Sequence, residues 1–306
     1  MPSWQSAVVE FVVRSRVKRR ILSTEDVGVI RARMGPPPLL RSALSLGVRR
    51  EAVQAAGVPA EWLGDVDPLT APVLLFLHGG GYLAGSASTH RPLAASLGRR
   101  LGARVLLPDY RLAPEHPFPG AVEDALSCYR FLLESGVAPE RIVVAGDSAG
   151  GGLTVSLALA ARAAGLPLPA AMACFSPWTD LAHTGASIDE NEERCSMLRR
   201  GAVERAASAY LAGASPQDPL ASPLYADLEG VPPLLVHSSA DELLRDDGVR
   251  LASRAREARV VTEFRLFARV PHAWQHFERV LPEARASLDA AARFLLHHLR
   301  DGLSPR

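Results

Sequence analysis

Gly146-Asp147-Ser148-Ala149-Gly150-Gly151 follows the apolar, largely β-branched run Arg141-Ile142-Val143-Val144-Ala145 and precedes Leu153-Thr154-Val155-Ser156-Leu157-Ala158-Leu159-Ala160. That order predicts a buried strand turning abruptly into a helix, with a serine at the apex of the turn. Gly146 and Gly150 stand two residues either side of Ser148. A side chain at either place would collide with neighbouring backbone if Ser148 were held in a strained conformation. The G-x-S-x-G spacing alone is weak evidence. Its weight comes from the flanking strand and helix and from a second glycine motif upstream.

That second motif follows Pro72-Val73-Leu74-Leu75-Phe76-Leu77, apolar without alternation, as expected of a strand covered on both faces. It empties directly into His78-Gly79-Gly80-Gly81-Tyr82. Before it, Arg50 to Ala55 and Val58 to Leu63 read as two strands of a hairpin divided at Gly57. After it come a helix over Ala94 to Leu101, a strand over Ala103 to Leu107, and a proline-rich loop from Pro108 to Pro119. A helix over Ala121 to Glu134 leads to the serine strand. Downstream, strands at Ala170 to Phe175, Leu234 to His237 and Val261 to Phe267 are separated by helices, with helices over Leu243 to Ala258 and Pro282 to Leu299. Strands alternating with helices argue for a mainly parallel sheet with helices on both faces.

Between Asp180 and Pro216 the rhythm fails. A charged run, Asp189 to Arg194, leads into a helical stretch ending near Leu211, which reads as an insertion. At the N-terminus Trp4, Val8, Phe11 and Val12 fall on one helical face, with Arg14, Arg16, Lys18 and Arg19 beyond. The first reading is a helix packed on its own protein by that face; a membrane-surface helix is the sharper alternative. Gly35-Pro36-Pro37-Pro38 ends this segment. The expected division is N-terminal cap helices over 1–45 and a catalytic domain over 46–306, carrying a cap insertion at about 181–216.

The 306 residues are 48% hydrophobic, enough for a large core, and 34 basic against 33 acidic side chains give a net charge of +1. Such balance offers no general attraction to nucleic acid or anionic lipid and favours a neutral small-molecule substrate. Cys128, Cys174 and Cys195 show no metal or redox spacing. No stretch is apolar enough to span a bilayer, and the N-terminus lacks the order of a secretory signal, so the expected compartment is the cytoplasm.

A serine hydroxyl needs a base, and the base needs an orienting group. On a turn of this kind the chain order is serine, acid, histidine. His272 follows the last strand in Pro271-His272-Ala273-Trp274, a loop position at the sheet's carboxyl end, and is preferred to His276; His297 and His298 sit inside the final helix. For the acid, Asp241 lies nearest the end of the strand before it, with Asp246 and Asp247 assigned to the helix surface. Asp241 also suits a plain N-cap. Backbone N–H groups of Gly79, Gly80 and Gly81, with that of Ala149 beside the serine, are the expected donors to an oxyanion. No dinucleotide or Walker pattern competes for these glycines.

Together, His78-Gly79-Gly80-Gly81, Asp109-Tyr110-Arg111-Leu112-Ala113-Pro114-Glu115, Gly146 to Gly150, Ser176-Pro177-Trp178, and Asp241 with His272 resemble the bacterial hormone-sensitive lipase family of esterases. The resemblance implies an α/β-hydrolase fold with a small helical cap, and hydrolysis of short- to medium-chain acyl esters without metal or cofactor. It assigns Ser148 as nucleophile, Asp241 as acid and His272 as base. Where many members carry proline after the acid and glycine after the histidine, Glu242 and Ala273 stand here, a pattern closer to the acetyl-hydrolase branch. Tyr82, Trp178, Met197 and Leu198 are the expected lining of the acyl pocket. An amidase or lactonase on the same triad, or a non-catalytic ligand receptor on the same scaffold, are the alternatives. A homodimer is expected by analogy only.

Overall fold

The computed structural model describes residues 2–19, 24, 26–34 and 47–303; the Gly35 to Pro38 break lies outside them. In chain order the elements are α1 (Trp4–Val13), continuing as a π-helical stretch over Arg14–Lys18, α2 (Val27–Arg33), β1 (Arg50–Ala55), β2 (Val58–Leu63) and β3 (Val73–Leu77). There follow α3 (Ala87–Leu101), β4 (Arg104–Pro108), α4 (Gly120–Glu134), β5 (Ile142–Asp147), α5 (Ala149–Ala163) and β6 (Ala171–Phe175). The chain closes with α6 (Ser187–Glu190), α7 (Arg200–Leu211), β7 (Leu234–Ser239), α8 (Arg245–Glu257), β8 (Thr262–Phe267) and α9 (Pro282–Leu303).

The strands form one sheet in the order β1-β2-β4-β3-β5-β6-β7-β8. The β1–β2 hairpin and its junction with β4 are antiparallel, and every later pairing is parallel. Alternate residues of the central strands feed opposite cores. Leu75, Leu77 and Val144 pack with α4 and α5 on one face, whereas Leu74, Phe76, Val143 and Ala145 pack with α3 and α9 on the other. Strands buried on both faces have no polar alternation to show, which is why β3 and β5 read as continuous apolar runs. Parallel strands also bring their carboxyl ends to one edge, and the loops leaving that edge build the site.

The insertion between β6 and β7 carries α6 and α7 and contacts the N-terminal helices. Arg14 donates to the carbonyls of Glu193 and Arg194 at 2.8 and 2.7 Å. Lys18 donates to those of Glu192 and Cys195, and Arg199 reaches back to the carbonyl of Lys18 at 2.8 Å. The face expected to pack is not the one that does. Ser6, Val9 and Val13 are buried, while Trp4 and Phe11 are 75% and 72% exposed. Polar anchoring sets this orientation: Ser3 bonds Glu283 through its N–H at 2.6 Å and its hydroxyl at 2.9 Å, and the Ser6 hydroxyl donates to the Arg269 carbonyl. Among the described residues no helix is long and apolar enough to cross a membrane.

Candidate active site

Ser148 stands between β5 and α5 with φ 55° and ψ −122°. A non-glycine residue pays for that conformation, so the surroundings must impose it. The glycines make it sterically feasible: a Cβ on Gly146 would lie 2.3 Å from the Gly150 carbonyl oxygen, and one on Gly150 would lie 2.0 Å from that of Leu77. Around the turn, the Ser148 N–H donates to the Phe175 carbonyl at 2.8 Å, and the Ser148 carbonyl accepts from Gly151, Gly152 and Trp178 at 3.0, 3.1 and 2.9 Å. The main chain at the serine is thereby fixed on both sides of the residue.

The hydroxyl of Ser148 lies 2.8 Å from His272 Nε2, and His272 Nδ1 lies 2.5 Å from Glu242 Oε2. With Glu242 ionised the carboxylate only accepts, so Nδ1 carries the ring proton and Nε2 is left to accept from the serine. His272 and Glu242 are both buried. The second Glu242 oxygen accepts the Ser239 N–H at 2.7 Å. The Ser239 hydroxyl ties this corner to the histidine loop by donating to the Val270 carbonyl at 2.6 Å.

This corrects the expectation for Asp241. Its carboxylate accepts the backbone N–H of Arg269 at 2.9 Å, and the partner of His272 Nδ1 is Glu242 instead. β7 runs to Ser239 and α8 starts only at Arg245, so the intervening turn is displaced two residues along the chain from the one that a strand ending at His237 and a helix from Leu243 would leave. In that turn the buried position nearest His272 falls to Glu242. A signal was present in the sequence: two adjacent acids compete for one place, the second standing where many family members carry proline. Asn191, which sequence reasoning passed over, fixes the same turn. Buried in the insertion, it donates through Nδ2 to the carbonyls of Ala240 and Glu242 at 3.0 and 2.9 Å.

The glycine loop after β3 is shaped by the groups beneath it. His78 stacks on Tyr110, with ring centroids 4.1 Å apart, and shares a 2.9 Å bond between Nδ1 and the Gly79 carbonyl; the Tyr110 hydroxyl donates to the His78 carbonyl at 2.6 Å. Burial pushes the His78 imidazole down to about 3, the adjacent His90 adding to the effect, so it is neutral near pH 7. Gly80 has φ +129°, and a Cβ there would lie 2.1 Å from the Ala84 carbonyl oxygen.

Among the four expected oxyanion donors, Gly79 is the exception, since its N–H turns inward to His90 Nε2 at 3.1 Å and Asp147 Oδ1 at 3.2 Å. The N–H groups of Gly80, Gly81 and Ala149 take no acceptor among the described residues. Ala149 opens α5, where the orphan amides and the helix dipole favour negative charge.

The four expected pocket residues divide. Tyr82 and Trp178 are sealed in the core beneath the glycine loop, Tyr82 stacked on Tyr210 at 3.8 Å, with the Tyr82 hydroxyl and the Trp178 indole N–H lacking partners among the described residues. They support the site from behind. Met197 and Leu198, in the insertion, are half-buried.

A family model described as alpha/beta hydrolase fold matches residues 74–276. The chain is 44% identical over 260 residues to an acetyl-hydrolase of Streptomyces hygroscopicus, covering 85% of this chain and 87% of that one. The crystal structure of an esterase from the bacterial hormone-sensitive lipase family superposes with a TM-score of 0.89 at 40% identity, covering 98% of this chain and 99% of that one. EstE5, in crystals soaked with p-nitrophenyl butyrate, superposes with a TM-score of 0.86 at 34% identity, covering 97% and 99%. Fold and relatives together define an α/β hydrolase acting on carboxylic esters. Within that class the chain belongs to the bacterial hormone-sensitive lipase family.

Proposed function

We propose that the enzyme hydrolyses short acyl esters through an acyl-enzyme on Ser148, with His272 as general base and Glu242 as the acid that orients it. The observation that carries this is the unbroken hydrogen-bonded series from the Ser148 hydroxyl through His272 to Glu242, at 2.8 and 2.5 Å. His272 Nε2 takes the serine proton as Oγ attacks the ester carbonyl. The charge that develops on the carbonyl oxygen is met by the N–H groups of Gly80, Gly81 and Ala149. The imidazolium, held by Glu242, then protonates the departing alcohol as the C–O bond breaks. Water, deprotonated by the same histidine, attacks the acyl-enzyme and releases acid and free serine.

The N-terminal helices and the 181–216 insertion act as the cap, Met197 and Leu198 bounding the acyl group. Short chains are favoured by the likeness to an acetyl-hydrolase. Ser148→Ala is the test: turnover of p-nitrophenyl butyrate falls by about five to six orders of magnitude. Parent enzyme turns over the acetate and butyrate esters faster than the dodecanoate. Retained activity in Ser148→Ala would assign the chemistry to another nucleophile, and a preference for dodecanoate would overturn the short-chain reading.

A further inference from the structure

Asp147, His90 and His276 converge directly behind the glycine loop, and the reaction as derived above uses none of their side chains. One ligand atom from each lies within 4.8 Å of the other two. Asp147 Oδ2 is 3.4 Å from His90 Nε2 and 3.4 Å from His276 Nε2. These separations exceed the roughly 2.7–3.2 Å of an ordinary N–H···O bond. They match the spacing of ligands on a tetrahedral ion, where donors at about 2.0–2.1 Å from the metal stand about 3.4 Å apart.

We propose that His90, Asp147 and His276 form a binding site for a single divalent ion of the zinc class, separate from the ester-hydrolysing residues and not needed by them. The hydrogen bonds around His90 already suit this role. The Thr89 hydroxyl donates to the Ser86 carbonyl at 2.9 Å and lies 2.8 Å from His90 Nδ1, which places the ring proton on Nδ1. The His90 Nε2 is thus the unprotonated nitrogen, and its lone pair accepts from the Gly79 N–H. A ligand histidine held through its other nitrogen by a neighbouring oxygen is the usual arrangement at metal sites. When an ion takes Nε2, the Gly79 N–H keeps its second acceptor, Asp147 Oδ1. Asp147 and His90 are buried, whereas the His276 side chain is 28% exposed, which gives the ion a route in and leaves its fourth position to water.

Each ligand belongs to a different part of the catalytic frame. Asp147 immediately precedes Ser148, His90 lies in the first turn of α3 just past the glycine loop, and His276 lies four residues beyond His272. A bound ion therefore joins three segments far apart in the chain and stabilises the folded state.

The test is titration of chelator-treated full-length enzyme with Zn2+, and with Co2+ as the spectroscopic probe. The parent takes up one equivalent with micromolar affinity, shows the visible absorption of tetrahedral Co2+, and unfolds at a higher temperature with the ion bound. His276→Ala weakens Zn2+ binding at least tenfold while its p-nitrophenyl acetate turnover in chelator stays within about twofold of the parent's. His276→Cys restores binding and adds a thiolate-to-cobalt charge-transfer band. Glu242→Gln binds Zn2+ as the parent does. The proposal fails if the parent binds no Zn2+ below millimolar concentration, if His276→Ala binds as tightly as the parent, or if Glu242→Gln abolishes binding, which would place the ion on His272 and Glu242.

Discussion

The serine turn and the acid turn lie at the ends of β5 and β7 on the same edge of the sheet, yet they are specified in different ways. At the serine turn the constraint is on the main chain: Gly146 and Gly150 approach backbone oxygens so closely that no other residue fits. At the acid turn the constraint is on side-chain direction. Asp241 and Glu242 are neighbours of like chemistry, and only the path of the turn decides which one meets His272. Steric exclusion leaves a mark in the sequence. Direction leaves almost none.

The sharpest way to break this comparison is to remove each acid in turn. Glu242→Gln lowers kcat for p-nitrophenyl butyrate by about 10⁴, as loss of the orienting carboxylate does in comparable triads. Asp241→Asn leaves kcat within about threefold, because its carboxylate accepts the Arg269 N–H while Glu242 holds His272. If the two variants exchange these behaviours, the role of Glu242 is wrong and the short contact to His272 is not the productive one.

The main-chain side is broken by adding a methyl group. Gly146→Ala forces a Cβ against the Gly150 carbonyl and costs at least about 3 kcal/mol in urea unfolding. Gly165→Ala is the control. Its φ is +66° but nothing lies within 4 Å of the added atom, so it costs only about 1 kcal/mol. Equal losses at the two sites would show that the Gly150 carbonyl yields to the added atom and that close approach does not limit the turn.

The difference between the corners also explains what was legible in the sequence. β3 and β5, buried on both faces, and the serine turn follow from apolar runs and glycine spacing, whereas His272 follows from chain order and its loop position after the last strand. Proximity to the strand's end favours Asp241, a rule blind to a strand two residues longer and a helix starting two residues later. Three identical glycines give no hint that one amide, that of Gly79, turns inward. The buried face of the N-terminal helix is hidden from sequence for a related reason. Its apolar stripe outweighs Ser6 by hydrophobicity, but Ser3 and Ser6 make the bonds that set its orientation.

Two strands that feed the site, β3 and β7, each carry one buried neutral histidine, at the end of β3 and within β7, which lets acid stability sharpen the contrast. Burial pushes His78, at the glycine loop, and His237, on β7, both down to about 3. In the unfolded chain each titrates near 6.5, so below that pH the unfolded state binds a proton that the fold does not. Stability is therefore full above pH 6.5 and is lost as pH falls from 6.5 towards 3, by about 2 kcal/mol per histidine at pH 5. His237→Asn should remove the β7 share, halving the loss these two histidines cause between pH 6.5 and 5 as read from urea midpoints. An unchanged slope would mean that His237 is protonated in the fold.

The smallest effect concerns strain without function. The β1–β2 hairpin turns through Ala56 and Gly57, with φ of 51° and 88°, since Ala55 pairs with Val58. Both signs are those of a type I′ turn, for which asparagine is strongly preferred at the first position. Ala56 is exposed, so its left-handed conformation serves no contact that a change would break. Ala56→Asn should raise stability by about 0.5–1 kcal/mol and leave turnover unaltered. Ser148 has nearly the same φ, 55°, but there the strain holds the hydroxyl against His272. Ser148→Gly would relieve it and abolish hydrolysis. A stability gain at position 56 together with a gain at 148 that costs all activity would show that the same strain is incidental in the hairpin and functional at the site. A loss of stability at position 56 would show that the hairpin depends on alanine for a reason its exposure does not reveal.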